Sequence, residues 1–347
     1  MRMTNSMLVS NYMNNLQRNL GNMGTLQNQL ATGKTIQRAS ENPYVAVRTM
    51  QLNNEISANK QYNTNITDTS NWLDTTDTAL GQANNIMARI KELTVKAGNG
   101  SYSKDEIGAI KDEVVEKMKE LGQVLNTSFD GNYIFGGTKS TSKPISVDSQ
   151  GQVSYMDKNG NTFNVDANNN IINYKDKDGN PIADTKNAEI AYNQISSNLT
   201  TEISQGVTIK YNKTAVEILN YKDSMGNSAN VINTLSDLVK CLDVASGGTQ
   251  ANLQVNGENI TNASSALKAI SGKMTEDITA IASNISKIRS NVGAMENRMK
   301  SAKDTNEDQN YNMTSILSET DDIDFAQKTM EYAVLQTVYT ATLQTSA

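Results

Sequence analysis

ASSALKAISGKMTEDITAIASNISKIRSNVGAMENRMKSA, residues 263–302, carries apolar side chains at Leu267, Ile270, Met274, Ile278, Ile281, Ile285, Ile288, Val292, Met295, Met299 and Ala302. The steps are threes and fours, the spacing that holds one stripe on a helix winding against a partner. A helix from about 263 to 316 would reach on the order of 80 Å at 1.5 Å per residue, too long for a compact domain to wrap. The sequence therefore predicts a rod.

A second long helical stretch runs from about Pro43 to Ala97, with Leu52, Ile66, Leu73, Leu80 and Met87 in heptad register. Tyr62, Thr69, Thr76, Ala83 and Ile90 form a second column whose mostly small side chains allow close helix approach. Gly98-Asn99-Gly100 ends this stretch, and Ser103-Lys104-Asp105-Glu106 has the form of a capping box opening a third helix. That helix presents Ile107, Ile110, Val114, Met118, Leu121 and Leu125 on one face. After Asp130-Gly131 the period shifts towards two. Val153 and Tyr155, then Phe163 and Val165, flank a turn at Lys158-Asn159-Gly160-Asn161, and Asp178-Gly179 follows Ile172 and Tyr174. Val207, Ile209 and Tyr211 alternate once more, which places a small β domain at 139–213.

The chain ends have a character of their own. Near the N-terminus Val9, Met13, Leu16, Leu20, Met23, Leu26 and Leu30 share one helical stripe, while the other faces carry Asn, Gln and Thr in place of ion pairs. Such a helix has little to stabilise it alone and needs a partner. Ser40-Glu41-Asn42-Pro43 offers a cap and a proline suited to a first turn. Ser318-Glu319-Thr320-Asp321 is expected to cap a last helix bearing Ile323, Phe325, Met330, Val334 and Val338, and from Tyr332 to Ala347 there is no charged residue. The residues alone leave two outcomes open: an ordinary intramolecular hairpin of the ends, or an inter-subunit core that becomes ordered on assembly.

Composition narrows the chemistry. The 347 residues allow two or three domains. With 31 basic and 37 acidic side chains, a net charge of −6 and no basic cluster, nucleic acid is a poor partner. Neither a run of 18 apolar residues nor a cleavable leader is present in this sequence. Histidine is absent and Cys241 is the one cysteine, so no Ser-His-Asp or Cys-His nucleophile, histidine-containing zinc site or internal disulfide can be built. Carboxylate or Ser-Lys chemistry survives without a motif to anchor it, and no cofactor motif is present. Cys241 lies in an apolar helical run with Val231, Leu235, Leu238 and Leu242 facing inward, the setting of a small core hydrophobe.

Gln29 to Pro43, QLATGKTIQRASENP, resembles the N-terminal signature of the flagellin superfamily, departing from it at Ala31, Thr32, Glu41 and Asn42. Gly131-Asn132-Tyr133-Ile134-Phe135-Gly136-Gly137-Thr138 is similar to the segment closing that family's N-terminal rod helices. Asn291 to Arg298 resembles its C-terminal rod motif, and Asp321 to Ala326 the entry to its last helix. Pro43 is more like the hook-associated protein 3 family than the filament proteins.

The resemblance implies a mainly α fold. A terminal coiled coil is expected at 1–42 and 318–347, a helical rod at 43–138 and 214–317, and the inserted outer β domain between them. It also implies a non-enzymatic structural subunit, exported unfolded and placed extracellularly at the hook-filament junction. The implied partners are flagellin, the other junction protein, an export chaperone and further copies in a ring. A short apolar and basic tail is expected beyond Ala347, which would then mark a truncation. The expected assembly interface pairs Val9, Met13, Leu16, Leu20, Met23, Leu26 and Leu30 with Ile323, Met330, Val334 and Val338, neighbouring subunits completing the burial. Filament flagellin, and a secreted coiled-coil adhesin or translocator, stand as alternatives.

Overall fold

In the computed structural model, residues 5–100, 102–166, 169–250, 253–255 and 258–345 are described. The helices are α1 (Asn5–Thr32), α2 (Pro43–Gly98), α3 (Lys104–Leu125), α4 (Lys186–Ile195), α5 (Ala215–Leu219), α6 (Val231–Ala245), α7 (Ala263–Ala269), α8 (Thr275–Asp321) and α9 (Phe325–Thr345). The strands are β1 (Ser128–Phe129), β2 (Asn132–Tyr133), β3 (Ile145–Val147), β4 (Val153–Met156), β5 (Thr162–Val165), β6 (Ile171–Lys175), β7 (Thr200–Ser204), β8 (Val207–Lys210), β9 (Asn220–Lys222), β10 (Ser228–Asn230), β11 (Gln254–Val255) and β12 (Glu258–Asn259). The fold is thus mainly α with a small central β region, as the periodicity predicts. The chain divides into two compact units, Met1–Thr64 with Lys303–Ala347, and Asn65–Ala302.

The larger unit holds the main core. Ile66, Leu73, Leu80, Met87 and Ile90 of α2 are buried in one cluster with Ile278, Ile281, Ile285, Val292 and Met299 of α8. Thr76 is buried in the second column with its hydroxyl bonded to the Trp72 carbonyl, so its short side chain brings no orphan polar group into the seam. Arg289 donates from Nε and Nη2 to the two Asp77 oxygens at 2.8 and 3.0 Å, fixing the antiparallel register of the two helices. The seam predicted as one helix is interrupted by a single π-helical turn, Ile270–Met274, where the Thr275 hydroxyl bonds the Ile270 carbonyl at 2.7 Å. Ser103 and Glu106 form the capping box at the start of α3. Cys241 is fully buried and its thiol is pushed up to about 12 by desolvation, which leaves it an inert core group.

β3–β4–β5–β6 form an antiparallel meander around stacked Tyr155 and Phe163, with Tyr174 and Tyr192 edge-on to that pair. Its turns repeat one device. In Asp148-Ser149-Gln150-Gly151-Gln152, Asp157-Lys158-Asn159-Gly160-Asn161 and Asp176-Lys177-Asp178-Gly179-Asn180, the aspartate Oδ1 accepts the N–H groups two and four residues on. Asp223 does the same before Gly226, in the turn joining β9 to β10. The fourth residue has positive φ in each, which is why glycine stands there. The sequence signal Asp-x-x-Gly-Asn/Gln also marks Asp148 and Asp223, where the alternation rule had found no hairpin. Helix α4, the strands β9 to β12 and the short pair β1–β2 likewise escape that rule.

Gly136-Gly137 explains the glycine pair in the aromatic segment. Gly137 has φ +58°, and a Cβ there would meet the Ile195 and Ser197 carbonyls at 2.6 and 2.9 Å as well as the Gln194 carbonyl. Thr138 N–H donates to Gln194 O at 3.0 Å, so this segment caps the end of α4. Gly137→Ala should destabilise the larger unit by roughly 2–4 kcal/mol, since it combines left-handed strain with backbone overlap. Gly108→Ala, in α3 with open space around it, should gain roughly 0.5–1 kcal/mol. Urea unfolding followed through Trp72 fluorescence measures both.

Candidate assembly surface

The smaller unit contrasts sharply in burial. Among the described residues its only buried apolar side chains are Leu26, Ala46, Leu52 and Ile56, and of these Leu52 alone is sealed from solvent. Fourteen of the nineteen exposed large hydrophobic residues belong to it. Helix α1 carries a single charge, Arg18. It packs antiparallel on α9, with the Tyr12 hydroxyl donating to the Thr342 carbonyl at one end and Gly33 facing the Phe325 ring at the other. On α1 the contact side holds Leu26 buried and Leu16, Met23 and Leu30 half-buried; on α9 it holds half-buried Tyr332, Leu335 and Tyr339.

The eleven residues predicted for the interface therefore divide by position into four on the intramolecular contact, six that are exposed and one, Ile323, that lies apart. Leu16, Met23, Leu26 and Leu30 lie on the intramolecular contact, while Val9, Met13 and Leu20 are exposed. On the other side Met330 and Val334 are each 63% exposed and Val338 is exposed too. These three do not meet the α1 stripe within the chain, except that Met330 and Val334 flank Leu26 across a shallow groove. Phe325, Leu343 and Met7 extend the exposed set, and so do Tyr44, Val47 and Met50 on one side of the first turns of α2. The α2 residues recur at three-residue intervals, a signal present in the sequence but masked by the stronger buried column that follows.

Ile323 lies elsewhere, half-buried in the bridge before α9. The expected cap at Ser318 to Asp321 is corrected by the structure. Helix α8 continues through Asp321, and the cap of α9 is Asp324, whose Oδ1 accepts Gln327 N–H at 3.1 Å. Ser318 instead turns its hydroxyl to Asp322 Oδ2 at 2.7 Å. At the start of α2 the cap is Asn42, accepting Val45 N–H at 3.3 Å just before Pro43.

The segment between Asp321 and Ile323 zips against Gly33-Lys34-Thr35. Ile323 N–H donates to Gly33 O at 3.1 Å and Thr35 N–H to Asp321 O at 2.6 Å, an antiparallel bridge. Gln29 Nε2 reaches Thr35 O at 2.8 Å, and Gly33 takes φ +72° to turn the chain. Lys34 Nζ stands 2.9 Å from Asp321 and 2.7 Å from Asp322. Its hydrogen bond to Asp322 raises the amine above its ordinary 10.5 and holds the Asp322 carboxyl below its ordinary 3.8. The resemblance motif thus has a physical role: Gly33 and Lys34 set the register between the two terminal helices. Chemically the surface offers apolar area and backbone-directed polar groups, and the described residues contain no group of three or more His, Cys, Asp or Glu able to hold a metal. Among the described residues no helix is long and apolar enough to cross a membrane.

Comparison with known proteins gives the same two ends. Residues 3–140 match the family model described as the bacterial flagellin N-terminal helical region, and residues 275–347 its C-terminal counterpart. Flagellin 1 of Proteus mirabilis is 30% identical over 128 residues, 37% of this chain and 35% of that protein. A flagellin of Salmonella oranienberg is 24% identical over 275 residues, 78% of this chain and 50% of that one. The chain spans about half or less of the length of these curated relatives. Among solved structures, a flagellar hook-associated protein from Vibrio parahaemolyticus shares the fold with a TM-score of 0.56 at 17% identity, over 81% of this chain and 100% of that one. Flagellar hook-associated protein-3 from Legionella pneumophila does so at 0.56 and 13%, over 78% and 98%. FlgL from Xanthomonas campestris does so at 0.54 and 15%, over 77% and 99%.

The bridge has a defined pH window. Asp322 is depressed in the folded chain, so its contribution is complete above the ordinary carboxylate value of 3.8 and is lost as pH falls through the lower folded value. Lys34 is raised, so its contribution is complete below 10.5 and is lost as pH rises beyond it. Hydrogen exchange at the Thr35 and Ile323 amides, corrected for intrinsic rates, should show constant protection between these limits and a fall below pH 3.8. Lys34→Ala should reduce the acid dependence, leaving the part that the Ser318 hydroxyl contributes through its hydrogen bond to Asp322, and weaken protection at both amides throughout.

Proposed function

The chain belongs to the bacterial flagellin family, and from that premise we propose that it is the structural subunit joining the hook side of a flagellum to its filament. The observation that carries this reading is the pair of charge-poor terminal helices, locked in register yet leaving Val9, Met13, Leu20, Met330, Val334 and Val338 exposed. Burying one such Leu, Met or Val is worth roughly 1.5–3 kcal/mol, so neighbouring subunits would recover what the isolated chain leaves in water. The shared fold with hook-associated proteins runs over nearly their whole length. That likeness supports a junction subunit over a filament subunit.

In this reading 1–42 and 318–347 form the polymerisation domain, 43–138 and 214–317 the rod domain, and 139–213 the outer domain. Further copies complete a ring, with flagellin on one side and the other junction protein on the other. An export chaperone would cover the exposed helix faces before the protein reaches its extracellular site. The role is structural, without a catalytic centre. The long alignment to a flagellin favours one second reading, a filament subunit.

Purified protein added to flagella from a strain lacking its own junction protein separates the two. Filament growth restored at the hook tips supports the junction role; long filaments grown by this chain alone would make it a filament subunit. Leu20→Asp or Val334→Asp should each block incorporation, while the unfolding of the larger unit, followed through Trp72, stays unchanged. Normal incorporation of both variants would remove these helix faces from the interface.

A further inference from the structure

The turns of the larger unit that share the aspartate device carry different residues before their glycine: Gln150-Gly151, Asn159-Gly160, Asp178-Gly179 and Met225-Gly226. Asparagine before glycine is the pair whose side-chain amide is most open to attack by the next backbone nitrogen, because glycine sets no Cβ in the way. Asn159 is exposed and its side-chain amide forms no hydrogen bond among the described residues; its backbone N–H is engaged, with Asp157 Oδ1 at 2.8 Å. The attacking nitrogen is also held least firmly in this turn. Gly160 N–H donates to Asp157 O at 3.3 Å, against 3.1 Å at Gly151 and Gly179 and 3.0 Å at Gly226.

Lys177, in the turn after β6, brings a charge to the same place. Its side chain crosses Gly160, with Cε 2.5 Å and Nζ 3.3 Å from where a Cβ on that glycine would stand. The side chain is exposed and its ammonium has no ion-pair partner among the described residues.

We propose that Asn159 is a self-modification site, converted in the folded chain to aspartate and isoaspartate with Lys177 assisting. Loss of the Gly160 amide proton to solvent base frees the nitrogen to bond Asn159 Cγ. The Cγ–Nδ2 bond breaks, ammonia leaves with a proton from water, and a five-membered imide closes. Water then opens the ring at either carbonyl. Breaking the bond from nitrogen to Cγ gives an ordinary aspartate; breaking the bond from nitrogen to the main-chain carbonyl carbon gives isoaspartate, whose main chain runs through Cγ and is one carbon longer. Negative charge develops first on the nitrogen and then on the oxygen at Cγ, where a nearby ammonium stabilises it.

The two products differ in consequence. The turn at Asp176–Asn180 already has aspartate, Asp178, at the matching position, with its N–H bonded to Asp176 Oδ1 at 3.0 Å. An aspartate at 159 therefore fits. The longer isoaspartate main chain displaces the N–H groups of Asn159 and Asn161 from Asp157, whose other oxygen accepts from the Tyr174 hydroxyl at 2.7 Å, and so loosens the β4–β5 turn. None of this depends on the role of the terminal helices in assembly.

Peptide mass spectrometry of the full chain, held folded in mildly alkaline buffer at physiological temperature, should show the acid forms accumulating at position 159 over days. Asn99-Gly100, also among the described residues, supplies an internal reference rate. Lys177→Gln should slow conversion at 159 about threefold, the scale of one solvent-screened charge at close range, and leave the rate at 99 unchanged. Lys177→Arg, which keeps the charge, should keep the original rate, and thermal unfolding of both variants should match that of the parent chain. Conversion of Asn159 only after unfolding in urea would overturn the proposal. So would an unchanged rate at 159 in Lys177→Gln, or a rate slowed equally at 99.

Discussion

The antiparallel seam between α2 and α8 is the constraint on which the remaining structure depends. Leu73, Leu80 and Met87 share a core with Ile281, Ile285 and Val292, and neither helix could keep such a stripe in water. Residues far apart in the chain thereby become neighbours, Arg289 beside Asp77 and Ser286 beside Asn84. Small residues in the second column, Thr69, Thr76 and Ala83, let the backbones approach without leaving unsatisfied groups, since a threonine hydroxyl such as that of Thr76 turns back to its own helix. The meander and the hairpins are attached to this seam through α3, α6 and α7, whose apolar faces belong to the same core.

The two units differ in what stabilises them. In the larger, Leu, Ile and aromatic side chains are buried to nearly zero exposure. In the smaller, the terminal helices meet along half-buried positions and keep Val9, Met13, Leu20, Met330, Val334 and Val338 outside. A lone helix with Asn, Gln and Thr on its polar face gains little from side-chain pairs. Its order must come from the register lock at Gly33 to Thr35 and from whatever covers the open faces. Local stability in such a chain is expected to be lowest at the ends, which suits segments whose final packing lies in an assembly.

Legibility in the sequence followed the range of the interaction. The seams of α2 and α8 were legible because their burial repeats over many turns, whereas the register lock at Gly33-Lys34 was not, since its partner Asp322 lies 288 residues along the chain from Lys34. Nor was the division of Leu16 from Leu20. Both lie on one apolar stripe, and only the angle at which α9 crosses decides which faces inward. The last cap was misplaced because Ser318 and Asp324 both precede acceptable helices; the competing hydrogen bond from Ser318 to Asp322 decides the matter. Helix α4 was hidden in an Asn-rich stretch whose buried residues are mainly alanines, Ala188 and Ala191, too small to register as a stripe.

Electrostatics separate the parts of the smaller unit further. With Arg18 the one charge on α1 and none from Tyr332 onward, an interface built on these faces would be driven by area and almost indifferent to ionic strength. The bridge is the opposite: Lys34 sits between two carboxylates and is largely solvent-accessible, so salt weakens its ion pairs while the backbone bonds beneath them persist. Salt can therefore loosen the register lock without touching the apolar faces. The geometry in which those faces are presented depends on three residues at the turn, and their attraction for a partner depends on the helices themselves.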